Sequence, residues 1–269
     1  MHLSHKFLGV MASTATLLAL GTAGAAHAAP LPSGWTTNGN AGTNTAADGV
    51  VTLAPGFSSY QWLSTDGSPT GGGNLPTAPT GQETNGTTVH TSSFAVAAGD
   101  ALKFYFNFIT SDGSDFADYA WAALFDGTNA FDSYLFTART TPLGNTVPGF
   151  GLPGLGAGVA LSPGSTAIIP GGPNFSPLGG SSGLCFDTGC GYTGWILMDY
   201  LFINAGTYSL KFGVTNASDT FQDSAFAVAG VTINDTPIDP PTSVPEPGSL
   251  ALMGLALAGA AAVRRRRSN

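Results

Sequence analysis

Residues 102–108, Leu-Lys-Phe-Tyr-Phe-Asn-Phe, decide the fold of this chain. The even-numbered positions are all apolar, whereas the odd-numbered ones are Lys, Tyr and Asn, so the pattern has a period of two residues. Residues 207–214, Thr-Tyr-Ser-Leu-Lys-Phe-Gly-Val, repeat it. Alternation of this kind turns one side of a segment toward a core and the other away from it, which indicates half-buried antiparallel strands.

Other segments have the composition of strands and are separated by turn signals such as Asp66-Gly67 and Asp126-Gly127. They are residues 50–53, 57–63, 89–96, 119–125, 131–137, 194–203 and 224–233. In the last one the alternation changes phase near Gly230, which predicts a bulge. Short strands without an internal helical pattern predict an all-β fold, an antiparallel β-sandwich of the jelly-roll type. A β-helix is the alternative fold, but no regular short repeat supports it.

Residues 141–190 interrupt the strand pattern of the predicted sandwich domain, residues 29–236. This insertion holds 13 Gly and 7 Pro in 50 residues, and Asp187 is its single charged residue. Insertions of this length are functional or disordered in most compact domains. Its apolar residues, among them Phe150, Leu152 and Phe175, favour a segment packed along the sandwich.

Charge excludes one class of partner. The whole chain of 269 residues has 8 basic and 16 acidic residues, but residues 29–247 contain three basic residues and all sixteen acidic ones, a net charge of −13. Binding to nucleic acid requires clustered Lys and Arg that neutralise phosphates. We therefore expect no nucleic acid partner for the body of the protein.

The amino terminus has the features of a secretory signal peptide over residues 1–28. Lys6 lies near the start, a run of apolar and small residues follows, and Ala26-His27-Ala28 is an A-x-A cleavage site. We expect the Sec translocon to export the chain, and the exported protein to begin at Ala29.

The carboxyl terminus has three consecutive parts. Residues 237–247 form a Pro-rich linker, residues 248–263 are predicted to form a transmembrane helix, and residues 264–269 form a basic tail. The apolar run is short for a membrane span, which needs about 17 residues or more. Positive residues remain on the cytoplasmic side, so the body would be translocated and the tail held back. The residues of the tail that carry this charge are Arg264, Arg265, Arg266 and Arg267.

The order of these parts, beginning with Val244-Pro245-Glu246-Pro247, resembles a PEP-CTERM sorting signal. The resemblance implies an exosortase as partner, attachment to the inner membrane during sorting, and removal of the tail after export in a Gram-negative bacterium, of a kind that often makes exopolysaccharide. A permanent anchor on a Pro-rich stalk is the alternative.

The body resembles an uncharacterised group of PEP-CTERM-anchored β-sandwich proteins, a resemblance that implies no known activity. It rests on ADYAWA at residues 117–122, LFTART at 135–140, VPGFG at 147–151, CFDTGCGYTGW at 185–195, FGVTN at 212–216 and DSAFAVAGV at 223–231. The chain departs from the group at Ala229, where related strands carry an acidic residue.

The two cysteines, Cys185 and Cys190, enclose a four-residue loop. In an exported protein such a pair predicts a disulfide bond. A zinc site is disfavoured because its two remaining ligands would have to come from one His and scattered Asp.

Two predicted hairpins carry acidic residues in their loops. The first contains Asp112, Asp115 and Asp118, and the second contains Asp219 and Asp223. Carboxylate oxygens of such loops can bind Ca²⁺, which would make it the one cofactor of the chain. Asp is also common in turns without any ligand, and neither loop has the spacing of an EF-hand.

The residues of common catalytic sites are scarce. His90 is the single His after the predicted cleavage site, no G-x-S-x-G motif accompanies it, and Glu83 is the single Glu of the body. We therefore expect a non-enzymatic protein of the cell surface or extracellular matrix. The alternative is a carbohydrate-binding module for exopolysaccharide, with Tyr192 and Trp195 as a sugar-stacking surface. An enzyme that acts on polysaccharide is the third possibility.

Overall fold

The computed structural model of the protein describes residues 29–239. Two antiparallel sheets contain all but two of its strands. The strands are β1 Thr36–Asn38, β2 Asn40–Asn44, β3 Tyr60–Ser64, β4 Glu83–His90, β5 Phe94–Val96, β6 Ala101–Thr110, β7 Tyr119–Asp126, β8 Phe131–Arg139, β9 Asn145–Val147, β10 Val159–Ser162, β11 Thr166–Ala167, β12 Ile169–Pro170, β13 Gly191–Tyr192, β14 Ile196–Leu201, β15 Gly206–Ala217, β16 Ser224–Ile233 and β17 Thr236–Pro237. Two 3-10 segments, Ser114–Phe116 and Ser176–Ser181, lie in loops.

The smaller sheet has the order β1-β4-β15-β7-β8, with β5 also paired to β15. The larger sheet has the order β10-β14-β6-β16-β3-β2, and β12, β13 and β17 attach to it. The strands predicted from the alternating pattern are central: β6 lies between β14 and β16, and β15 lies between β4 and β7. The predicted all-β antiparallel fold is confirmed.

The main core lies between the two sheets and is rich in Phe. Phe104, Phe106 and Phe108 of β6 face Phe136 of β8 and Phe212 of β15. The rings of Phe106 and Phe136, one from each sheet, stack with centroids 3.9 Å apart. Each of these rings is buried, and aromatic stacking adds to the free energy that burial provides.

Loops cover the outer faces of both sheets and form two smaller apolar clusters. On the larger sheet, Phe175 and Leu178 of the Gly/Pro-rich insertion pack against Tyr60 and Trp62 of β3. On the smaller sheet, the cluster includes Leu75 and Trp121. The insertion also contributes buried Val147 to the main core and supplies strands β9 to β12, so it is packed against the sandwich as its apolar residues indicated.

Several boundaries differ from those predicted. Residues 50–53 form no strand, because Val51 makes one isolated bridge to Asp48. The predicted strand over residues 89–96 is two strands, β4 and β5, separated by residues 91–93. The predicted bulge near Gly230 is confirmed: the register shifts between Ala229 and Thr232, and Gly230 has a φ of +66°.

The two predicted hairpins with acidic loops are not hairpins. The loop after β6 leads to β7 in the other sheet, and the loop after β15 leads back to β16. Both loops therefore arch over the same end of the sandwich. Alternation within a strand is the same in either case, so the sequence pattern could not distinguish a hairpin from an arch.

The carboxyl-terminal end of the described chain is held against the sandwich. Strand β17 pairs with β16, and both Trp35 and Ser92 donate hydrogen bonds to the Asp239 carboxylate. The linker predicted to begin at residue 237 is therefore part of the folded body as far as Asp239. The signal peptide, Val244–Pro247 and the predicted transmembrane helix lie outside the described residues. Within residues 29–239, no helix is long and apolar enough to cross a membrane.

Candidate functional site

Polar side chains close the interior of the sandwich at the end that the two arches cover. On β6 the inward positions run from Phe106 and Phe108 to Thr110, and on β16 they run from Phe226 to Ser224. On the smaller sheet Asp118 precedes inward-facing Ala120 by two positions. We call this layer the acidic end; its members are Thr110, Asp112, Asp118, Asn216, Asp223 and Ser224.

Asp118 joins the two sheets. Its Oδ1 accepts a hydrogen bond of 2.8 Å from the Ala217 amide, and its Oδ2 accepts one from the hydroxyl of Ser224. The side chain is completely buried. Burial, with the negative charge of Asp112 as the next cause, raises the pKa of Asp118 well above its ordinary value.

Asp112 lies at the start of the first arch and is 1% exposed. Its Oδ1 accepts a 2.7 Å hydrogen bond from the Gly113 amide, whereas its Oδ2 is buried without a hydrogen-bond partner in the described chain. Burial, followed by the charges of Asp219 and Asp223, raises the pKa of Asp112 to about 7. This carboxyl group therefore lies in a site that disfavours an uncompensated negative charge.

Asp223 closes the second arch. Its Oδ1 accepts from the Thr65 hydroxyl at 2.9 Å, and its Oδ2 accepts from the Ser181 hydroxyl at 2.8 Å. Burial raises the pKa of Asp223 above its ordinary value despite these bonds. Ser181 belongs to the Gly/Pro-rich insertion, so this carboxylate ties the insertion to the sandwich.

Asn216 was not singled out by its sequence pattern, yet it is completely buried. Both Oδ1 and Nδ2 of its side chain are buried without a hydrogen-bond partner in the described chain. The amide lies beside the Asp223 carboxylate and lowers the pKa of that group, but not in ordinary hydrogen-bonding geometry. Unpartnered buried polar groups are rare in folded proteins, and each one calls for a physical explanation.

No basic side chain of the described chain neutralises the acidic end. Arg139 donates instead to the Ala117 carbonyl and to Gln82. Lys103 pairs with Asp199 and Asp235, and Lys211 lies over the ring of Phe125. The negative charge of this site is therefore balanced by no cationic side chain among residues 29–239.

The five Asp residues predicted to bind Ca²⁺ occupy different environments. Asp112, Asp118 and Asp223 are buried, Asp219 is half-buried and Asp115 is exposed in a 3-10 turn. Oδ1 of Asp219 accepts from the Phe221 amide, and its charge raises the pKa values of Asp112 and Asp118. Within residues 29–239, no three side chains of Asp, Glu, His or Cys already surround one point as metal ligands do. Binding of Ca²⁺ stays a prediction.

Cys185 and Cys190 form the predicted disulfide, with their Cα atoms 5.6 Å apart. The amide of Phe186 within this loop donates to the Ser111 carbonyl at 3.0 Å, and the ring of Phe186 packs edge-on against Phe116. The disulfide loop therefore borders the first acidic arch.

Tyr192 and Trp195, the predicted sugar-stacking pair, are half-buried against the outer face of the larger sheet. The indole of Trp195 donates to the Thr52 carbonyl at 3.0 Å and meets Tyr60 edge-to-face with centroids 5.8 Å apart. Much of the surface that stacking would use is thus occupied by protein.

His90 lies beside Ser209 of the neighbouring strand, with Nε2 and Oγ 3.0 Å apart. Burial, followed by the charge of Lys211, lowers the pKa of His90. Ser209 is buried, and among the described residues no carboxylate is hydrogen-bonded to this imidazole. The pair lacks the orienting acid that a serine nucleophile's base requires.

A cleft that the sequence pattern did not reveal lies at the edge of the larger sheet. Its volume is about 330 Å³, and its polar lining includes Asn40, Asn44, Asp48 and Asp66 around the indole of Trp62. Trp62 donates to Asn44 Oδ1 at 3.2 Å, and Asp48 accepts from Ser176 of the insertion. The residues come from β2, β3 and two loops, so only the folded chain brings them together.

Comparison with known proteins identifies one segment of the chain. Residues 243–267 match the PEP-CTERM protein-sorting motif. A search of curated proteins found no match.

Solved structures resemble the chain weakly. The K1 cleaved adhesin domain of Lys-gingipain from Porphyromonas gingivalis W83 is 11% identical, with a TM-score of 0.32 over 74% of this chain and 92% of that chain. A CBM4 structure is 7% identical, with a TM-score of 0.31 over 74% and 93%. An exo-beta-agarase is 13% identical, with a TM-score of 0.29 over 79% and 25%. At these TM-scores the likeness carries no argument about function. The sorting motif at residues 243–267 is informative, because it indicates an exported protein of the cell envelope or surface.

Proposed function

We propose that this protein is exported through the inner membrane of a Gram-negative bacterium, processed by an exosortase and displayed without catalytic activity at the cell surface or in the extracellular matrix. The observation that carries the proposal is the match of residues 243–267 to the PEP-CTERM protein-sorting motif. The secretory signal peptide predicted over residues 1–28 supports it, because a sorting signal of this kind acts on a chain that has crossed the membrane.

Each part of the carboxyl terminus has a physical role in this proposal. The Pro-rich residues before the motif have few backbone donors and a restricted φ, so a protease can reach an extended segment there. The short apolar run and four arginines hold the motif near the membrane until it is cut. The tail is then a handle for sorting and not a permanent anchor.

The contacts of the side chains that could have acted in catalysis support the proposed lack of catalytic activity. His90 contacts a buried serine and has no orienting carboxylate among the described residues. The oxygen atoms of Asp118 and Asp223 already accept hydrogen bonds within the protein. Those bonds suit a structural role for the two carboxylates.

Intact-mass measurement of the protein recovered from its native host tests the sorting proposal. We expect a chain that begins near Ala29 and lacks residues 250–269. Replacing Arg264, Arg265, Arg266 and Arg267 by Gln should reduce processing, because the tail would lose its hold at the cytoplasmic face.

The matched control is Arg139→Gln in the folded body, which should leave processing unchanged. A native product that still carries the terminal arginines would contradict the sorting proposal and support the permanent anchor.

Carbohydrate binding is the second candidate function, and the cleft around Trp62 is the observation that favours it. Its carboxylates and amides are groups that hydrogen-bond to sugar hydroxyls, whereas the indole of Trp62 is 7% exposed and forms only the buried wall of the cleft. Asp66 is the lining residue best suited to a test, since its carboxylate accepts no hydrogen bond from a described side chain.

A pull-down with the host exopolysaccharide checks this candidate. We expect the protein and its exposed Asp132→Asn control to be retained, and Asp66→Asn to be retained less. Equal retention of all three would remove the cleft from consideration. A loss confined to Tyr192→Ala would instead support the pair Tyr192 and Trp195 as the sugar surface.

A further inference from the structure

The acidic end contains three buried carboxyl groups and two buried oxygen atoms that have no hydrogen-bond partner in the described chain. Asp112 follows β6 of the larger sheet and Asn216 lies in β15 of the smaller sheet; both are at most 1% exposed, and each has a buried oxygen atom without a partner in the described chain. Asp219, at the rim, follows Asn216 by three residues in the arch that leaves β15. Because burial of an isolated charge is costly, a buried carboxylate such as that of Asp112 needs a counter-ion or a proton.

We propose that the acidic end binds one Ca²⁺ ion, with Oδ2 of Asp112 and Oδ1 of Asn216 as ligands from the interior and the carboxylate of Asp219 as a ligand from the rim. The site goes beyond the sorting function and does not depend on it. It also differs from the set predicted from the sequence, in which all five arch aspartates were candidate ligands.

The hydrogen bonds show which side chains of the acidic end have oxygen atoms left to coordinate a metal ion and which do not. Asp118 accepts from Ala217 and Ser224, and Asp223 accepts from Thr65 and Ser181, so their oxygen atoms already have donors. Asp115 is exposed and lies apart from the buried layer. Asp112 and Asn216 are the buried members whose oxygen atoms are free to coordinate.

The donor chemistry favours Ca²⁺ over other metals. Every available ligand atom is oxygen, both cysteines are in a disulfide, and His90 is bonded to Ser209, so the ligands of a zinc site are missing from the described chain. Ca²⁺ accepts six to eight oxygen atoms of mixed type, including amides and water, in flexible geometry.

Formation of the site requires a small movement. Asp219 is half-buried and its Oδ1 accepts from the Phe221 amide, so its carboxylate would turn inward to coordinate, and water would complete the shell.

Thermal unfolding of the exported chain, stripped with EDTA and returned to buffer at pH 7.5, tests the site. A ligand that binds the folded state alone raises the melting temperature with its concentration. For a domain of this size, CaCl₂ at a hundredfold excess over its Kd should raise the melting temperature by about 5–10 °C over NaCl of equal ionic strength. MgCl₂ should produce a smaller shift, because Mg²⁺ demands stricter geometry.

Two variants make the test specific. Asp112→Asn should abolish the Ca²⁺-dependent shift, whereas Asp115→Asn, the same charge change on an exposed side chain of the same arch, should preserve it. Elemental analysis of the desalted wild-type protein should find one calcium per chain, and this measurement stands even where a variant does not fold. The proposal is overturned by a wild-type shift no larger than that in NaCl, by an equal shift in Asp112→Asn, or by protein that retains no calcium.

Discussion

At the scale of single residues, Glu83 shows how an acidic side chain is used in this fold without a cationic partner. Its carboxylate accepts hydrogen bonds from the Tyr119 hydroxyl at 2.6 Å and from the amides of Thr80 and Gly81. Burial raises the pKa of Glu83, but the bond from Tyr119 and those from Thr80 outweigh it, so the pKa is lowered. We expect Glu83→Gln to reduce the free energy of unfolding at pH 7 by about 1–2 kcal/mol, since hydrogen bonds to a charged group contribute about 1.5–3 kcal/mol and the Gln carbonyl still accepts one of them.

The pH dependence of that difference has a definite sign. A carboxyl group whose pKa is lowered by folding stabilises the protein above its unfolded pKa, and this stabilisation is lost as the pH falls through the folded pKa. The gap between wild type and Glu83→Gln should be constant above pH 6 and shrink below about 4.5. Urea unfolding across this range measures it, with the exposed Asp132→Asn as control. A gap that widens in acid would contradict the assignment.

At the scale of elements, the contact between β15 and β7 depends on a missing side chain. Gly213 of β15 lies opposite Trp121 of β7, and a Cβ atom at Gly213 would lie 2.4 Å from Cε2 of the indole. The buried indole donates to the Gly73 carbonyl at 2.6 Å and so attaches a covering loop to the sheet. Gly213→Ala would displace the indole. Because overpacking of a core costs about 1–3 kcal/mol, we expect the free energy of unfolding to fall by that amount.

Chemical denaturation together with Trp fluorescence measures the effect of Gly213→Ala. Gly154→Ala is the control, since a Cβ atom there would meet nothing within 4 Å. Equal stability of Gly213→Ala and Gly154→Ala would show that the loop and indole can move without cost.

At the scale of the whole molecule, the acidic end lies far from the carboxyl-terminal end of the described chain. Ser224, which contacts Asp118, begins β16, whereas Ile238 donates to the Val231 carbonyl seven residues further along that strand. At about 3.3 Å per residue, roughly 20 Å separates them. Exposed Phe186 and Phe221 lie in loops that border the acidic end. In the proposed function, the arches would therefore face away from the point at which the sorting segment leaves the body.

The candidate site could be predicted from the sequence only in part. The two acidic segments were found, because a strand followed by an acidic loop and a second strand is visible in the chain itself. Their connection as arches and the buried amide of Asn216 were not found, since Asn216 follows Val214 in a strand where nothing local distinguishes a buried polar position. The cleft around Trp62 was missed for the same reason, because its residues are distant in sequence.

The sequence by itself determined the properties that depend on neighbouring residues. Alternation with a period of two makes a strand with one apolar face, and a contiguous motif at residues 243–267 carries its own sorting information. The tertiary structure alone decided which strands share a sheet and which carboxyl groups are buried together. Pairing between distant strands and the loss of solvent around Asp112 and Asp118 are set by contacts far along the chain, and no local pattern encodes them.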